Sequence, residues 1–425
     1  MSVARLRPAT IDGAVDAPSS KSYTHRFLLA AHLSGRTSHV RRPLLSDDTQ
    51  ATARGLRQLG SEVVRGRGVW TVAPRSLRTT ARARVIDCGE SGTTLRLLSA
   101  TAALSSSRIR FVGRGRLPSR PMGPLFDSLE RLGAKVGRPR SGGALPFELR
   151  GPIHGGAVDV AADESSQFTS ALLFALPTVR PASRLRTVGT PVSEPYVQAS
   201  LAVIRGQGVR LTASRSGFGI PGGQRFDPVE ATVPGDASSA AYLWALAAAT
   251  GGRASVRGVP AEWPQADLAL LDLLRRFGAS VRRSARAVTV RGGDRRPFRV
   301  ELTGSPDLYP LAGVLAAVAD GRSYLLGGAQ VVAKESNRRL GTERLARAIG
   351  ARVESVGGSL AIEGARHPRA VHLRDLHDHR LVMSAAVAAA AADGPSEIAD
   401  ASAVGKSFPG FFETIGKLGV EVTVR

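Results

Sequence analysis

Six stretches of the chain open on polar residues and then turn almost wholly apolar. They are SKSYTHRFLLAAHL (20–33), SGTTLRLLSATAAL (91–104), SSQFTSALLFAL (165–176), DASSAAYLWALAAA (236–249), DLYPLAGVLAAVA (307–319) and DHRLVMSAAVAAAAA (378–392). Their first residues stand 71, 74, 71, 71 and 71 positions apart. A helix that is apolar on every side must be buried, and a serine or aspartate at its start supplies an N-cap acceptor. The pattern therefore predicts six buried helices at a regular period, the mark of a repeated packing unit. A second pattern, apolar–Gly–x–x–Val, recurs at LGSEV (59–63), LGAKV (132–136), FGASV (277–281), IGARV (349–353) and LGVEV (418–422), with a weaker copy at RGQGV (205–209). Its glycines are Gly60, Gly133, Gly206, Gly278, Gly350 and Gly419, spaced by 73, 73, 72, 72 and 69 residues. Each predicts an amphipathic helix that ends at a C′ glycine and hands over to a strand beginning at the valine. Alternating segments such as SVRRSARAVTVRG (280–292) and RFVGRG (110–115) read as strands and hairpins.

The first turns of the apolar helices carry the chemistry. N-caps explain the serines and aspartates but not Lys21, Arg26, Arg96 and Arg380, because the helix macrodipole already puts partial positive charge at that end. An anion should rest on Lys21, Ser22 and Arg26. If the three buried helices of each half run parallel, their positive ends share one cleft suited to multiply charged anions.

Composition narrows the partners. The 425 residues, 43% hydrophobic, suffice for two ordinary domains or one large one. The longest apolar run, in SAAVAAAAADG (384–394), falls far short of the roughly 20 residues needed to span a bilayer. MSVARLRPATIDGAV at the N-terminus has no apolar core of a secretory signal, so a soluble cytoplasmic protein is expected. The single cysteine, Cys88, excludes an intramolecular disulfide framework, and no Cys/His spacing suits zinc. A net charge of +23 suggests nucleic acid, but the bases are scattered and aromatics are only 5%, poor for base stacking. Only five of the 58 cationic residues are lysine: Lys21, Lys135, Lys334, Lys406 and Lys417. Where arginine is the default cation, a retained lysine points to a need for a compact ammonium.

Ten motifs in order, SSKSYTHR, CGESGTTLR (88–96), RLPSRP (116–121), SSQF (165–168), SEPY (193–196), PGDASSAAY (234–242), SPD (305–307), KESNR (334–338), HDHR (377–380) and GKSFPGFF (405–412), closely resemble 5-enolpyruvylshikimate-3-phosphate (EPSP) synthases. The resemblance implies a mixed α/β fold: a two-domain inside-out α/β barrel of six βαβαββ repeats, three per domain. One domain would be 16–233 and the other 1–15 with 234–425. It implies transfer of the enolpyruvyl group of phosphoenolpyruvate to the 5-hydroxyl of shikimate 3-phosphate, in chorismate biosynthesis. No metal or organic cofactor is implied, and a monomer without nucleic-acid or membrane partner is expected. The alternative is enolpyruvyl transfer to a related acceptor in secondary metabolism; a non-catalytic anion-binding protein would have no need of Lys21, Lys334, Lys406, Asp307 and Glu335 together.

Residue by residue, the resemblance assigns shikimate 3-phosphate to Lys21, Ser22, Arg26, Ser165, Ser166, Gln167, Ser193, Tyr196, Asp307 and Lys334. Phosphoenolpyruvate falls to Lys21, Gly92, Arg120, Gln167, Arg338, Arg380 and Lys406, with Glu90 lining the pocket. Asp307 with Lys21 would act at the 5-hydroxyl and Glu335 as the acid at C3, since the reaction needs an acid and a base on different faces. Ser165 reads equally as an N-cap, Glu335 as a solvated helix-start charge, and Asp236 as an N-cap before a hinge contact. Departures from the family pattern are Glu90 where bacterial members often carry Asn, Asn337 for a more usual Asp, and Gln330 for Asn. The pair His377 and His379 has no further metal ligands nearby in sequence. The loop GRGRLPSRP (113–121) lacks the reactive cysteine of UDP-N-acetylglucosamine enolpyruvyl transferase, and Cys88 reads as a buried strand-end residue.

Overall fold

The computed structural model describes residues 2–75, 84–139 and 142–425. Each of the six apolar stretches is a helix: Lys21–Ser34, Gly92–Ala102, Ser166–Ala175, Ala237–Thr250, Tyr309–Ala317 and His379–Ala390. Side-chain oxygens of Ser20, Ser91, Ser165, Asp236 and Asp378 each accept a backbone N–H of the first turn. The fifth helix starts differently. A 3-10 turn, Pro306–Leu308, runs into Tyr309–Ala317 with proline at both starts and no side-chain cap. Proline has no N–H to be capped, which leaves the Asp307 carboxylate for other work. In Ala237–Thr250 every residue except Ser238 is buried, and the Trp244 indole N–H donates to the Val288 carbonyl at 3.2 Å.

The amphipathic helices end as their glycines require. Gly60, Gly133, Gly278, Gly350 and Gly419 lie at φ of 105°, 106°, 102°, 104° and 106°, a region open to glycine. The weak copy is the exception. Gly206 is the last residue of helix Glu194–Gly206, Gln207 follows at φ −104°, and the left-handed position falls to Gly208 at φ 77°. RGQGV carries two glycines, and the helix runs on to the second choice.

The strands form six open four-stranded sheets, with no closed barrel among the described residues. All six share one order: an outer strand parallel to its neighbour, then two antiparallel pairings. In one example Arg84–Asp87 lies parallel to Arg108–Val112, which pairs antiparallel with Phe147–Arg150, itself antiparallel to Lys135–Gly137. Phe147 stacks on Phe111 at 4.8 Å between ring centroids and meets the edge of Phe126 at 4.7 Å.

The chain divides into two compact units, Ser19–Val233 and Met1–Pro18 with Pro234–Arg425. In the second, the N-terminal strand Val3–Leu6 sits between Ser396–Ala399 and Val422–Val424, and Asp12–Asp16 lies parallel to Arg253–Arg257. In the first, the strand nearest its end, Glu230–Thr232, lies parallel to Ser38–Arg41 near its beginning. Among the described residues no helix is long and apolar enough to cross a membrane. Cys88 is wholly buried just beyond strand Arg84–Asp87, and burial together with Asp87 pushes its thiol far above the usual range.

Candidate active site

In the unit Ser19–Val233 the first turns of several helices are tied into one polar network. His25 and Thr52 meet at 2.7 Å, the Thr52 and Thr94 hydroxyls at 2.7 Å, and Thr94 donates to Ser91 Oγ at 2.8 Å. Helices Lys21–Ser34, Asp47–Gln58 and Gly92–Ala102 are thereby tied together at their N-terminal turns. Burial lowers His25 to about 3, so it serves this chain as a neutral imidazole.

Lys21 does meet an anion, and the protein supplies it. Its Nζ stands 3.0 Å from Asp48 Oδ2, with the lysine side chain 16% exposed. Arg26, two turns into the same helix, is buried. It donates to Ser200 Oγ at 2.9 Å, to Ser22 O at 2.9 Å and Oγ at 3.2 Å, and to the Tyr196 carbonyl at 2.9 Å. Burial draws its pKa down to about 10, which leaves it charged at neutral pH. Among the described residues no carboxylate pairs with Arg26, so this buried cation has hydroxyls and carbonyls but no counter-ion. A buried charge of that kind is expensive until an anion arrives.

Arg96 donates to Gln167 Oε1 at 2.9 Å and to the Pro121 carbonyl at 3.0 Å, and lies over the Phe168 ring. Gln167 in turn donates to Thr93 Oγ1 at 3.1 Å. The starts of helices Gly92–Ala102 and Ser166–Ala175 are therefore side by side. Gly92 is a position of close approach: a Cβ there would come within 2.6 Å of Arg120 Nη1 and 2.8 Å of its Cζ. Ser165 caps its own helix through the Gln167 N–H at 3.3 Å, and Ser166 is buried in the first turn. Ser193, at φ 56°, precedes helix Glu194–Gly206 without capping it. Glu90 is exposed, its carboxyl placed against Gly115 of the 113–121 loop.

The other unit centres on Arg338, 1% exposed and held by three carboxylates. Nη1 meets Asp307 Oδ1 at 2.6 Å, Nη2 meets Glu335 Oε2 at 2.7 Å, and Nε meets Asp378 Oδ2 at 2.9 Å. Asp307 also takes Arg380 Nη2 on its second oxygen at 2.7 Å. Asp378 uses both oxygens, accepting the Arg380 backbone N–H at 2.8 Å and the Ser336 hydroxyl at 2.9 Å. Burial alone would raise Asp307, but Arg380 and Arg338, with Lys334 adding to their field, hold it far below the usual carboxylate range. Asp378 is likewise lowered, Arg338 overcoming its burial. Lys334 closes the 3-10 helix Ala329–Ala333 and Lys406 ends Ala401–Lys406, both half-buried.

The departures from the family pattern have structural roles. Asn337 caps helix Arg338–Ile349 by accepting the Leu340 N–H at 3.1 Å, which an aspartate would also do. Gln330 donates to the Thr303 carbonyl at 2.9 Å. Asp236 accepts the Ser238 N–H at 2.8 Å as an N-cap. His377 is exposed at φ 45° beside Asp400, whereas His379 is buried, and no cluster of three metal-ligating side chains occurs among the described residues.

A family model for EPSP synthase (3-phosphoshikimate 1-carboxyvinyltransferase) matches residues 7–415. The chain belongs to the EPSP synthase family. A 3-phosphoshikimate 1-carboxyvinyltransferase of Methanocorpusculum labreanum is 36% identical over 413 residues, 97% of each chain. One of Aeropyrum pernix is 39% identical over 428 residues, covering 98% of this chain and 96% of its own. Among solved structures, EPSP synthase of Acinetobacter baumannii superposes with a TM-score of 0.83 at 23% identity, covering all of both chains. The enolpyruvyl transferase NikO of Streptomyces tendae reaches a TM-score of 0.79 at 18% identity, covering 100% and 98%. These last two speak to the fold alone. The curated relatives favour the EPSP synthase reading over transfer to another acceptor.

Three carboxylates that meet the cations of these networks went unread in the sequence: Asp48, Asp378 and Asp267. Each lies at a helix start, where an aspartate reads as a cap, and each meets its cation only through the fold.

Proposed function

We propose that the chain transfers the enolpyruvyl group of phosphoenolpyruvate to the 5-hydroxyl of shikimate 3-phosphate, releasing phosphate, within chorismate biosynthesis. The observation that carries this reading is the buried pair Arg338 and Arg380 clasping Asp307, with Glu335 and Lys334 beside it. Two guanidiniums suit a phosphorylated carboxylate, and the shared carboxylate is placed to accept a proton once they are engaged. The finer architecture, an inside-out α/β barrel of three repeats in each of domains 16–233 and 1–15 with 234–425, belongs to this proposal; six sheets of one strand order support it.

In this reading Arg26 and Ser22 take the shikimate carboxylate, the uncompensated charge of Arg26 supplying the reason. Ser165, Ser166, Ser193 and Lys21 take its phosphate, and Gln167 and Tyr196 the ring. Phosphoenolpyruvate rests on Arg120, Arg338, Arg380 and Lys406, with Lys21, Gln167 and Gly92 beside it. Asp307 is depressed by the same arginines that bind this substrate. When phosphate and carboxylate occupy them, their pull on Asp307 weakens and its basicity rises toward the working range. Asp307 with Lys21 then takes the 5-hydroxyl proton, and Glu335 delivers one to C3. The 5-oxygen bonds to C2 to give the tetrahedral intermediate; the bond from C2 to phosphate then breaks, one C3 proton returns to the Glu335 carboxylate, and the enol ether of the product forms.

The direct test is phosphate release from phosphoenolpyruvate with and without shikimate 3-phosphate. Release that depends on the acceptor supports the reading; release indifferent to it, or none, overturns it. Glu335→Gln should lower kcat by about 10²-fold or more, the usual reach of a general acid, with little change in shikimate 3-phosphate affinity measured by fluorescence titration. Near-normal turnover would reduce Glu335 to a charge that helps hold Arg338. Gly92→Ala should fold normally and displace the Arg120 guanidinium, a flexible tip. Its expected cost is roughly tenfold, about 1.4 kcal/mol, in the KM of phosphoenolpyruvate, with the KM of shikimate 3-phosphate nearly unchanged.

A further inference from the structure

Asp267 lies in the 3-10 turn Ala266–Ala269, 1% exposed. Its Oδ2 accepts the Ser238 hydroxyl from the first turn of Ala237–Thr250 and stands 3.9 Å from Arg380 Nη1. Oδ1 is buried with no hydrogen-bond partner among the described residues. A buried carboxylate with one oxygen unsatisfied is costly in its charged form. The groups that bear on it are Arg380 from helix His379–Ala390, Asp307 from the turn Pro306–Leu308, and Asp236 and Ser238 at the start of Ala237–Thr250. Arg380 is the only cation of these, and Asp307 holds it more closely, at 2.7 Å.

We propose that Asp267 is a positioning residue for Arg380 and takes up a proton from solvent when an anionic ligand occupies that guanidinium. The inference rests on the assignment of Arg380 to phosphoenolpyruvate. Burial raises the Asp267 carboxyl to about 7, against the pull of Arg380, so its two forms are close in energy at neutral pH. An anion on Arg380 weakens the one attraction that favours the carboxylate. The proton leaves the buffer and bonds to Oδ1, the oxygen to which no described residue donates, and the site becomes more positive by one charge. That change offsets part of the charge the ligand brings and leaves Arg380 to the ligand and Asp307.

The test is calorimetric titration of phosphoenolpyruvate into the full-length protein at pH 8, in two buffers of different ionisation enthalpy. At that pH the second ionisation of a phosphate ester, with a pKa of about 6, is complete, so uptake belongs to the protein. The wild type should take up a fraction of a proton, and its Kd should weaken as pH rises from 7 to 9, by up to about tenfold per unit. Asp267→Asn, a neutral side chain of the same shape, should bind with that uptake removed and a flatter pH profile. Ser238→Ala removes the hydroxyl donor and should move the profile's midpoint upward while leaving a carboxyl at 267. Equal uptake in wild type and Asp267→Asn, or an unmoved midpoint in Ser238→Ala, overturns the inference. The assignment of Arg380 fails separately, if Arg380→Met binds phosphoenolpyruvate as tightly as the wild type.

Discussion

Lys21→Arg should yield a folded protein with turnover reduced about 10²-fold or more, the scale set by losing a positioned proton-transfer group. Its thermal midpoint should stay within about 2 °C of the wild type, as for substitutions that keep charge and create no cavity. Charge alone predicts no such loss in a chain where arginine is the rule. The ammonium is a compact centre with three rotatable donors, and it sits 3.0 Å from Asp48 at the mouth of a buried helix. A guanidinium is planar, larger and effectively always protonated, so it does not fit between a phosphate and a reacting hydroxyl or exchange a proton with it. Lys135→Arg is the control, since Lys135 is exposed at the start of strand Lys135–Gly137. Turnover assays and thermal melts of both variants decide the matter. Near-normal turnover in Lys21→Arg would reduce that lysine to a surface partner of Asp48.

The six buried helices were legible because two independent signals coincide, an apolar run and a cap residue one period from the last. Where the cap signal was ambiguous the physics still showed: DLYP opens on a proline turn, and Asp307 faces arginines instead of capping. The glycine period was legible except at RGQGV, where two glycines compete and local sequence does not say which ends the helix. Lys21, Arg26 and Arg380 were legible because they violate the macrodipole preference, whereas Arg120, Arg338, Lys334 and Lys406 came from the family resemblance. Of the carboxylates that meet these cations, Asp307 and Glu335 came with that resemblance and three others were not legible. Asp48 lies 27 residues from Lys21 and Asp378 40 from Arg338. Asp267 is farther still from Arg380, and each aspartate occupies a helix start where a carboxylate is ordinary. The anion demanded by Lys21 is supplied by Asp48, whereas among the described residues Arg26 has no such partner.

Arg338→Met should destabilise the unit that contains it by at least 3–5 kcal/mol, the usual cost of breaking a buried ion pair from one side. For a unit of this size that corresponds to a midpoint lower by roughly 10 °C or more. The loss is large because three carboxylates converge on one guanidinium, and Asp378 is fully buried. A methionine fills the volume and leaves Asp378 without the cation that outweighs its burial. The pH dependence distinguishes this cause from lost packing. In the wild type, Asp307 and Asp378 have folded values below their unfolded ones. They contribute stability above the unfolded carboxylate range, near pH 4, and that contribution is lost as pH falls through the folded values. In the variant, burial is no longer offset at Asp378, so its folded value rises above the unfolded one and stability falls as pH climbs. The gap between the two midpoints should therefore be widest near pH 7 and narrow toward pH 4–5. Arg339→Met removes a partly exposed partner of Glu343 at 3.6 Å together with donors to Ser355 Oγ and to the Gly358 and Ser359 carbonyls; it should cost no more than about 2 kcal/mol, with a gap that does not depend on pH in this way. Thermal melts of the three proteins between pH 4 and 8 measure this. A gap that does not change with pH would mean that Arg338 matters for its bulk, and that the carboxylates around it were never balanced by its charge.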